Sequence, residues 1–440
     1  METAPRQNEI QIQNKAQEWK SELDHHIHQE LLPFWISRAE DTVNGGFITH
    51  FDSSGKDTGE DEKSLISQAR SVFSFSMAAR YGVQPARTLA MARQGVRFLI
   101  DKMWDQAHGG FYWTVRRDGT PVITRKILYG LSFAIYGLSE YYRASGDEEA
   151  LSYAERVFDL IHLHAVDVEY GGYFEMFETD WTLSGPGAAG GDRKTLDAHM
   201  HLMEAYTNLL RCTGKDVHRR RLKEVIGILD RHMFRQDTGT GLPQFTRDWT
   251  VAPQIKFDIV WGWDRFSESG EKSNPLDNTS YGHNVEFAWL LLDALDALDD
   301  DLHRYDPLIR HSYDHALTHG IDREYGGVFV EGSHKGPATD REKEFWQQAE
   351  LMNGLLAAYL HWGEDRFLES YETVHRFVFD KMINHEVGEW WPLMSQEGQP
   401  IWTHMSHSWK VNYHTIRAAL RSHDWLKVIT GENTTALLLK

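Results

Sequence analysis

The chain has 440 residues and a formal net charge of −19, which argues against a nucleic-acid or anionic-membrane surface, since both need clustered Lys and Arg. Cys212 is the single cysteine, so an internal disulfide and a cysteine-based metal cage are excluded. The sequence has no apolar run of ~18 residues and no apolar leader at its start, so we expect a cytoplasmic protein without a membrane contact.

Helical periodicity recurs along the whole chain in antiparallel couplets. Several of the predicted helices end at a glycine or begin with acidic residues, as the helix dipole favours. The predicted helices cover 8–37, 66–82, 86–104, 126–146, 148–165, 194–213, 217–234, 284–299, 302–319, 344–362, 364–382 and 411–428.

Six glycine-led segments of alternating aromatic or β-branched residues separate these couplets and predict short strands or hairpins. They lie at 44–55, 108–119, 170–181, 239–249, 325–336 and 387–398. Their spacing exceeds the ~34–47 residues typical of open α-solenoids. We therefore predict an all-α fold, an (α/α)6 barrel of about twelve helices that forms one domain over 1–440, in preference to an open solenoid.

The interval between the fourth and fifth hairpins is longer than the others. The excess is an insertion at about 253–280, which is rich in Gly, Ser, Asn and Asp and carries Trp261 and Trp263. Loops of that length are usually functional or disordered. We expect the insertion to lie over one face of the barrel.

Polar and aromatic residues interrupt the first two turns of every predicted inner helix. A fully buried helix should be apolar nearly all round, so these residues need either partners or a function. Because they share one phase of the repeat, closure of the barrel would bring them to one mouth of one cavity. They are Arg70, Tyr129, Asp197, His199, His201, Glu204, His283, Glu286, Trp346, Glu350, His414 and Arg417.

Three histidines at matched phase, His201, His283 and His414, favour proton transfer at a carbon next to a carbonyl, because imidazole titrates near neutral pH. An arginine can hold the enediolate oxygen that develops. Two bases on opposite sides of a planar enediolate would invert the carbon, whereas one dominant base would give aldose–ketose isomerisation. This chemistry needs no cofactor, and the sequence has no nucleotide-binding motif.

Structural roles and other site chemistries stay open at this stage. Glu286 and Glu350 could pair with Arg70 or Arg417, since a buried charge demands a partner. Residues two apart on a helix point in different directions, so only one of His199 and His201 can face the cavity.

A His/carboxylate metal centre is possible but lacks an HExxH or DxD motif, so we expect no metal. A glycoside hydrolase on the same barrel would use two carboxylates ~6.5–9.5 Å apart. Its candidates would be Glu286, Glu350, Asp197 and Asp264.

Four segments resemble the signature segments of the N-acylglucosamine 2-epimerase superfamily: DAHMHLMEAYTNLLR, SYGHNVEFAWLLLDA, KEFWQQAEL and NYHTIRAAL. The resemblance covers about 16–428 and is closest to the branch of cellobiose and mannose 2-epimerases. It implies an (α/α)6 barrel and an isomerase that acts at C2 of a sugar without a cofactor.

The resemblance also implies roles for individual residues. His283 and His414 match the two acid/base histidines, and His201 matches the histidine that assists ring opening. Arg70 matches the arginine near the C1 and C2 oxygens, and Glu286 the glutamate that supports the base. The sugar-contacting positions implied in the same way are Tyr129, Asp197, Trp346, Glu350 and Arg417.

The sequence departs from the cellobiose enzymes at three places, and the lost Trp and the added loop both reduce the room for a second sugar unit. Asp197 stands where they usually carry Asn, Phe345 replaces the first residue of a Trp pair, and the insertion at 253–280 is extra. We therefore expect a small free sugar as the partner, with D-mannose and D-glucose as the interconverted pair. The alternatives are cellobiose epimerisation, mannose–fructose isomerisation and a non-catalytic sugar- or protein-binding barrel, with the chain a monomer or homodimer.

Overall fold

The computed structural model describes residues 7–255, 257–259 and 276–432, most of which are helical. The α-helices are α1 (Gln7–His25), α2 (Leu32–Arg38), α3 (Leu65–Arg80), α4 (Pro85–Phe98), α5 (Leu128–Ser145), α6 (Glu148–His164), α7 (Leu196–Thr213), α8 (Asp216–Ile228), α9 (Tyr281–Leu298), α10 (Asp306–His315), α11 (Phe345–Trp362), α12 (Asp365–Phe377) and α13 (Tyr413–Ile429). A π-helical segment, His26–Leu31, joins α1 to α2 in one long helix. The described part of the chain therefore contains twelve long helices, as predicted.

The helices form two concentric rings. The inner ring consists of α3, α5, α7, α9, α11 and α13, which contact one another in that order, and α13 contacts α3 again. The outer helices α4, α6, α8, α10 and α12 each pack on the inner helix that precedes them, and α1 packs on α13. Because the ring closes, the fold is the predicted (α/α)6 barrel and not an open solenoid.

The inner helices have well-defined starts and stops. Ser64, Thr195 and Ser280 cap α3, α7 and α9, each accepting a hydrogen bond from a backbone N–H three residues later. Helices α5, α7 and α11 end at glycines with a left-handed backbone, Gly146, Gly214 and Gly363. These signals place the start of each inner helix, and with it every polar residue of the first two turns, at the same end of the barrel.

Short antiparallel strands connect the helical couplets. They are β1 (Lys63–Ser64), β2 (Thr114–Val115), β3 (Pro121–Ile123), β4 (Lys126–Ile127), β5 (Met176–Phe177), β6 (Arg193–Thr195), β7 (Gln244–Thr246), β8 (Thr279–Ser280), β9 (Glu331–Gly332), β10 (Ala338–Asp340), β11 (Lys343–Glu344), β12 (Ile383–Asn384), β13 (Glu389–Trp390), β14 (Leu393–Met394) and β15 (Pro400–Trp402). Five of the six predicted hairpin segments contain a strand, whereas 44–55 forms only isolated bridges in the described structure.

Local hairpins form in the pairs β2–β3, β9–β10 and β14–β15, and further strand pairs go beyond this prediction. The strand before an inner helix pairs with a strand of the following repeat, in the pairs β1–β2, β4–β5, β6–β7, β8–β9 and β11–β14. Lys63, for example, lies opposite Val115. The strands therefore hold neighbouring repeats together at the end of the barrel where the inner helices begin.

A buried ion pair recurs at the same place in four repeats. A lysine two residues before the inner helix bonds an aspartate in the turn that follows the preceding outer helix. The Nζ–Oδ2 pairs are Lys63–Asp41 at 2.8 Å, Lys126–Asp105 at 2.7 Å, Lys194–Asp167 at 2.9 Å and Lys343–Asp322 at 2.9 Å. Each pair fixes the turn against the start of the next inner helix.

The same turns bind a polar side chain in the fourth position of an inner helix. Gln68, Asn284 and Gln348 each accept a hydrogen bond from a backbone N–H of the turn. His199 does the same through Nε2, from the N–H of Tyr173 at 3.1 Å. The turn must approach closely, and a Cβ on Gly46 would lie 2.7 Å from the Gln68 Oε1.

The core fills the space between the two rings with large apolar and aromatic side chains. Trp19, Trp35, Trp289 and Trp390 are among its fully buried members. No helix among the described residues has both the length and the apolarity that a bilayer span requires.

The insertion at 253–280 is described only at its two ends, and Trp261, Trp263 and Asp264 lie outside the described residues. At its start, Phe257 and Ile259 are buried in a small apolar cluster. The other members of this cluster are Ile66, Trp113, Ile127 and Met176. Asp258 pairs with Arg125, with 2.8 Å between Oδ1 and Nη1. The start of the insertion, which follows β7, therefore packs against residues next to β2 and β4.

We predict that Lys343→Met lowers the free energy of unfolding by about 3–5 kcal/mol, because it leaves the Asp322 carboxylate buried without its cation. Urea denaturation measures the loss. Lys15→Met, which removes an exposed ion pair with Glu372, is the matched control and should change stability by less than about 0.5 kcal/mol. Equal effects of the two substitutions would contradict a clamping role for the buried pair.

Candidate active site

A cavity of about 680 Å³ opens where the inner helices begin. The sequence-predicted residues that line it are Arg70, Tyr129, Asp197, His201, His283, Glu286, Trp346 and His414. Glu350 and Arg417 are fully buried and do not belong to the lining, and their implied contact with a sugar stays a prediction. They lie behind His414 and act on the cavity through other side chains.

Arg417 is the centre of a buried charge cluster beneath the cavity. Its Nη2 contacts Glu350 Oε1 at 2.6 Å and Glu286 Oε1 at 3.0 Å, and its Nη1 pairs with Glu204. The prediction that Glu286 and Glu350 could pair with an arginine is therefore confirmed for Arg417. One cation faces three carboxyl groups, and three ionised carboxylates would leave excess negative charge in a medium of low dielectric constant.

The carboxyl groups of this cluster differ in acidity. Burial and the neighbouring Glu350 raise the pKa of Glu286 well above its ordinary value, so Glu286 is the least acidic of the three carboxyl groups. Burial also opposes ionisation of Glu204 and Glu350, but Arg417 and the histidine next to each outweigh it. The pKa of Glu204 falls to about 2, and the pKa of Glu350 is lowered as well.

Two of these carboxylates orient histidines. Glu350 Oε1 lies 2.6 Å from His414 Nδ1, and Glu204 Oε2 lies 2.9 Å from His201 Nδ1. A hydrogen bond from Nδ1–H to a carboxylate assigns the proton to Nδ1 and leaves Nε2 as the basic nitrogen. Burial lowers the pKa of His414 to about 3 and lowers that of His201 too, so both rings are neutral in the free protein.

His283 has a more open setting, with about a quarter of its side chain exposed. It lies in the first turn of α9, and its Nε2 is 3.5 Å from Asp197 Oδ1. Its ring packs on Trp346 with 4.5 Å between centroids, and His414 lies on Trp346 at 5.9 Å. Gly282 permits this packing, because a Cβ there would lie 2.9 Å from the Trp346 ring.

Arg70 is the cation of the cavity wall. Its Nη2 donates to the Tyr129 hydroxyl at 2.8 Å and its Nη1 to the Trp409 carbonyl at 3.0 Å. The guanidinium also lies over the Phe133 ring at 4.2 Å. None of the ion pairs formed by the described residues includes Arg70, so its charge is available to an oxyanion in the cavity.

Three residues could hold a metal ion by geometry alone. One ligand atom each from Glu286, Glu350 and His414 lies within 4.8 Å of the others. Arg417 already contacts both carboxyl groups and supplies the positive charge that a metal would bring. We therefore assign this cluster to hydrogen bonding and orientation of His414.

Sequence reasoning placed the cavity residues well but missed several partners. It flagged Glu204 without a role, whereas the structure pairs Glu204 with Arg417 and His201. Tyr413, whose hydroxyl donates to Glu204 at 2.7 Å, was missed, although it stands next to His414. Glu175 was missed as well; it is a buried carboxyl group of the cavity wall, and burial raises its pKa to about 8.

One inference about orientation is confirmed. Of the histidines at 199 and 201, His201 faces the cavity and His199 binds the backbone of a turn. Burial lowers the pKa of His199 to about 4, which suits a neutral structural ring.

Comparison with known proteins gives a consistent result over nearly the whole chain. Residues 46–418 match the family model of N-acylglucosamine 2-epimerase. A cellobiose 2-epimerase of Bacteroides fragilis is 30% identical over 416 residues, which cover 91% of this chain and 97% of the relative. A D-mannose isomerase of Marinomonas mediterranea is 24% identical over 412 residues, covering 93% and 98%. The structure of cellobiose 2-epimerase from Spirochaeta thermophila superposes with a TM-score of 0.80 at 31% identity, covering 94% of this chain and 98% of that one.

Glu286 and Glu350 both contact Arg417 but differ in acidity, so we predict that substitution by Gln lowers kcat by different factors at the two positions. Glu286→Gln keeps the shape of a side chain whose charged form burial disfavours, so kcat should stay within about fivefold of the wild type and stability within about 1 kcal/mol. Glu350→Gln removes the carboxylate that orients His414, so we expect kcat to fall at least about 100-fold. Steady-state kinetics with urea denaturation as the folding control separate the two variants, and equal losses would refute the assignment.

Proposed function

The chain belongs to the N-acylglucosamine 2-epimerase family, and we propose that it interconverts D-mannose and D-glucose by removing and returning the proton at C2. The observation that carries the proposal is that each of the six inner helices contributes one side chain to a single cavity. In ring order these are Arg70, Tyr129, His201, His283, Trp346 and His414. Two of them, His283 and His414, are candidate bases whose rings both lie close to the Trp346 ring.

The reaction begins with opening of the sugar ring, which His201 assists by moving the proton between the ring oxygen and the C1 hydroxyl. A neutral histidine then removes the proton from C2, and the electrons of that C–H bond form the C1–C2 double bond of an enediolate. Arg70 stabilises the negative charge that develops on the C1 oxygen. A second, protonated histidine returns a proton to the opposite face of C2, and the carbonyl re-forms as the other epimer.

The environments of the two histidines suit these steps. His414 Nε2 is basic because Nδ1 is bonded to Glu350, and the carboxylate stabilises the imidazolium that forms. His283 is partly exposed next to Asp197, so it can exchange its proton with solvent between turnovers. Two bases from different helices support epimerisation rather than mannose–fructose isomerisation, which needs one dominant base.

The start of the insertion supports a small substrate. Gln254, Ile255 and Phe257 line the cavity, so this segment narrows the opening next to Tyr129. Cellobiose epimerisation is the second candidate, because a volume of about 680 Å³ falls within the range of pockets that hold ligands larger than one hexose.

The proposal also covers the cellular compartment and the oligomeric state of the enzyme. Cys212, the single cysteine, is compatible with a reducing compartment, and we place the protein in the cytoplasm as a monomer or homodimer. The mechanism assigns every proton transfer to side chains of this chain and uses no cofactor.

Substrate choice is tested by incubating the protein with mannose, glucose, cellobiose and N-acetylglucosamine and separating the products by chromatography. We expect kcat/KM on mannose to exceed that on cellobiose by at least about tenfold, because the insertion leaves less room beyond the first sugar. Equal or higher activity on cellobiose would reject the monosaccharide proposal. Release of free glucose from cellobiose would instead indicate a glycoside hydrolase.

The two-base mechanism is tested with His283→Ala and His414→Ala. General acid–base catalysis contributes about 10²–10⁴-fold, so each variant should lose at least about 100-fold in kcat while it still binds the sugar. His164→Ala, which removes a ring stacked on Trp181, is a matched control and should keep wild-type kcat. If either variant retains more than a tenth of the wild-type kcat, the histidine it lacks is not one of the two bases.

A further inference from the structure

A cluster of two histidines and one aspartate lies at the end of the barrel away from the cavity. His303 belongs to the turn between α9 and α10, Asp306 is the first residue of α10, and His361 lies in the last turn of α11. Helix α9 begins at the cavity and has 18 residues, so its length of about 27 Å separates the cluster from His283. The proposed sugar chemistry uses none of these three residues.

The geometry of the cluster is compact. His303 Nδ1 lies 2.9 Å from Asp306 Oδ2, and His361 Nε2 lies 2.9 Å from Asp306 Oδ1. The three ligand atoms all lie within 4.8 Å of one another, and the two imidazole rings are nearly parallel with 4.7 Å between centroids. Zinc–ligand bonds of about 2.0–2.2 Å put neighbouring ligand atoms about 3.3 Å apart in a tetrahedral site, so the ligand atoms would have to approach one another by at most about 1.5 Å.

We propose that His303, Asp306 and His361 form a binding site for a divalent transition-metal ion of the zinc class. Imidazole nitrogen and carboxylate oxygen are the ligands that such borderline ions prefer, and three protein ligands leave a fourth position for water. The ion would replace the hydrogen bonds that now join the two rings to the carboxylate.

The surroundings of the cluster favour a preformed site. Trp362 Nε1 donates to Asp306 Oδ2 at 3.2 Å and so holds the carboxylate in its orientation, as a supporting hydrogen bond does at many metal sites. His361 is mostly buried and Asp306 half-buried, whereas 64% of the His303 side chain is exposed. The site is therefore open on one side, which provides an entry path for the ion and room for its water ligand.

The ion would join two helices of different rings. Asp306 starts the outer helix α10 and His361 ends the inner helix α11, and 55 residues of chain separate them. Because the three ligands come together only in the folded chain, binding of the ion would stabilise this part of the barrel.

The proposal is tested by isothermal titration calorimetry. The full chain is first treated with EDTA to remove bound metal and is then titrated with zinc chloride. We expect one zinc ion per chain with a dissociation constant of about 10 µM or tighter. At a zinc concentration about 100-fold above that constant, the Tm should rise by about 3 °C for a chain of this length. Cobalt in place of zinc should give the visible absorption of a site with nitrogen and oxygen ligands.

His303→Ala and His361→Ala should each abolish the bound equivalent and the Tm rise, with unchanged sugar turnover. His311 is another exposed histidine on α10, and the control variant His311→Ala should keep the bound zinc equivalent and the rise in Tm. His303 is exposed, so its removal leaves the fold intact and a null result is interpretable. Unchanged zinc binding in His303→Ala, or no binding up to about 100 µM zinc, would overturn the proposal.

Discussion

The catalytic end of this barrel depends on one buried arginine. Arg417 pairs with carboxyl groups from three other inner helices, Glu204, Glu286 and Glu350. An ionised side chain without a partner in such a place would cost several kcal/mol, so the four groups are stable only together. The inner helices α7, α9, α11 and α13 are thereby held in one register at the floor of the cavity.

That same cluster sets the chemistry above it. Two of its carboxylates bond the Nδ1 atoms of His201 and His414, which leaves Nε2 as the basic nitrogen of each ring. Burial and the neighbouring Glu350 disfavour the charged form of the third carboxyl group, Glu286, and raise its pKa. The buried charge therefore stabilises the fold and selects the tautomers of two histidines. The four recurring Lys–Asp pairs stabilise the same end of the barrel, because each fixes a turn against the start of an inner helix.

Much of this arrangement could be predicted from the sequence. Helical periodicity and glycine-led segments located the twelve helices, and the common phase of the polar residues located the cavity. Periodicity reports which face of a helix a residue occupies, but it does not report which residue it meets on a helix hundreds of positions away. For that reason the periodicity did not show that Glu350 and Arg417 lie behind His414; their contact with the sugar is implied by the family resemblance alone and stays a prediction. The strand pairing between repeats was missed for the same reason, since strands of two residues carry almost no pattern of their own.

The central claim is that two histidines exchange the proton at C2 of a sugar from opposite faces. The most direct test is the conversion of D-mannose in heavy water, followed by proton NMR of the products. The two-base account predicts D-glucose that carries deuterium at C2 and protium at C1, because the returning proton comes from a histidine that has equilibrated with solvent. Fructose as the main product, or glucose that retains the original C2 hydrogen of mannose, would contradict it.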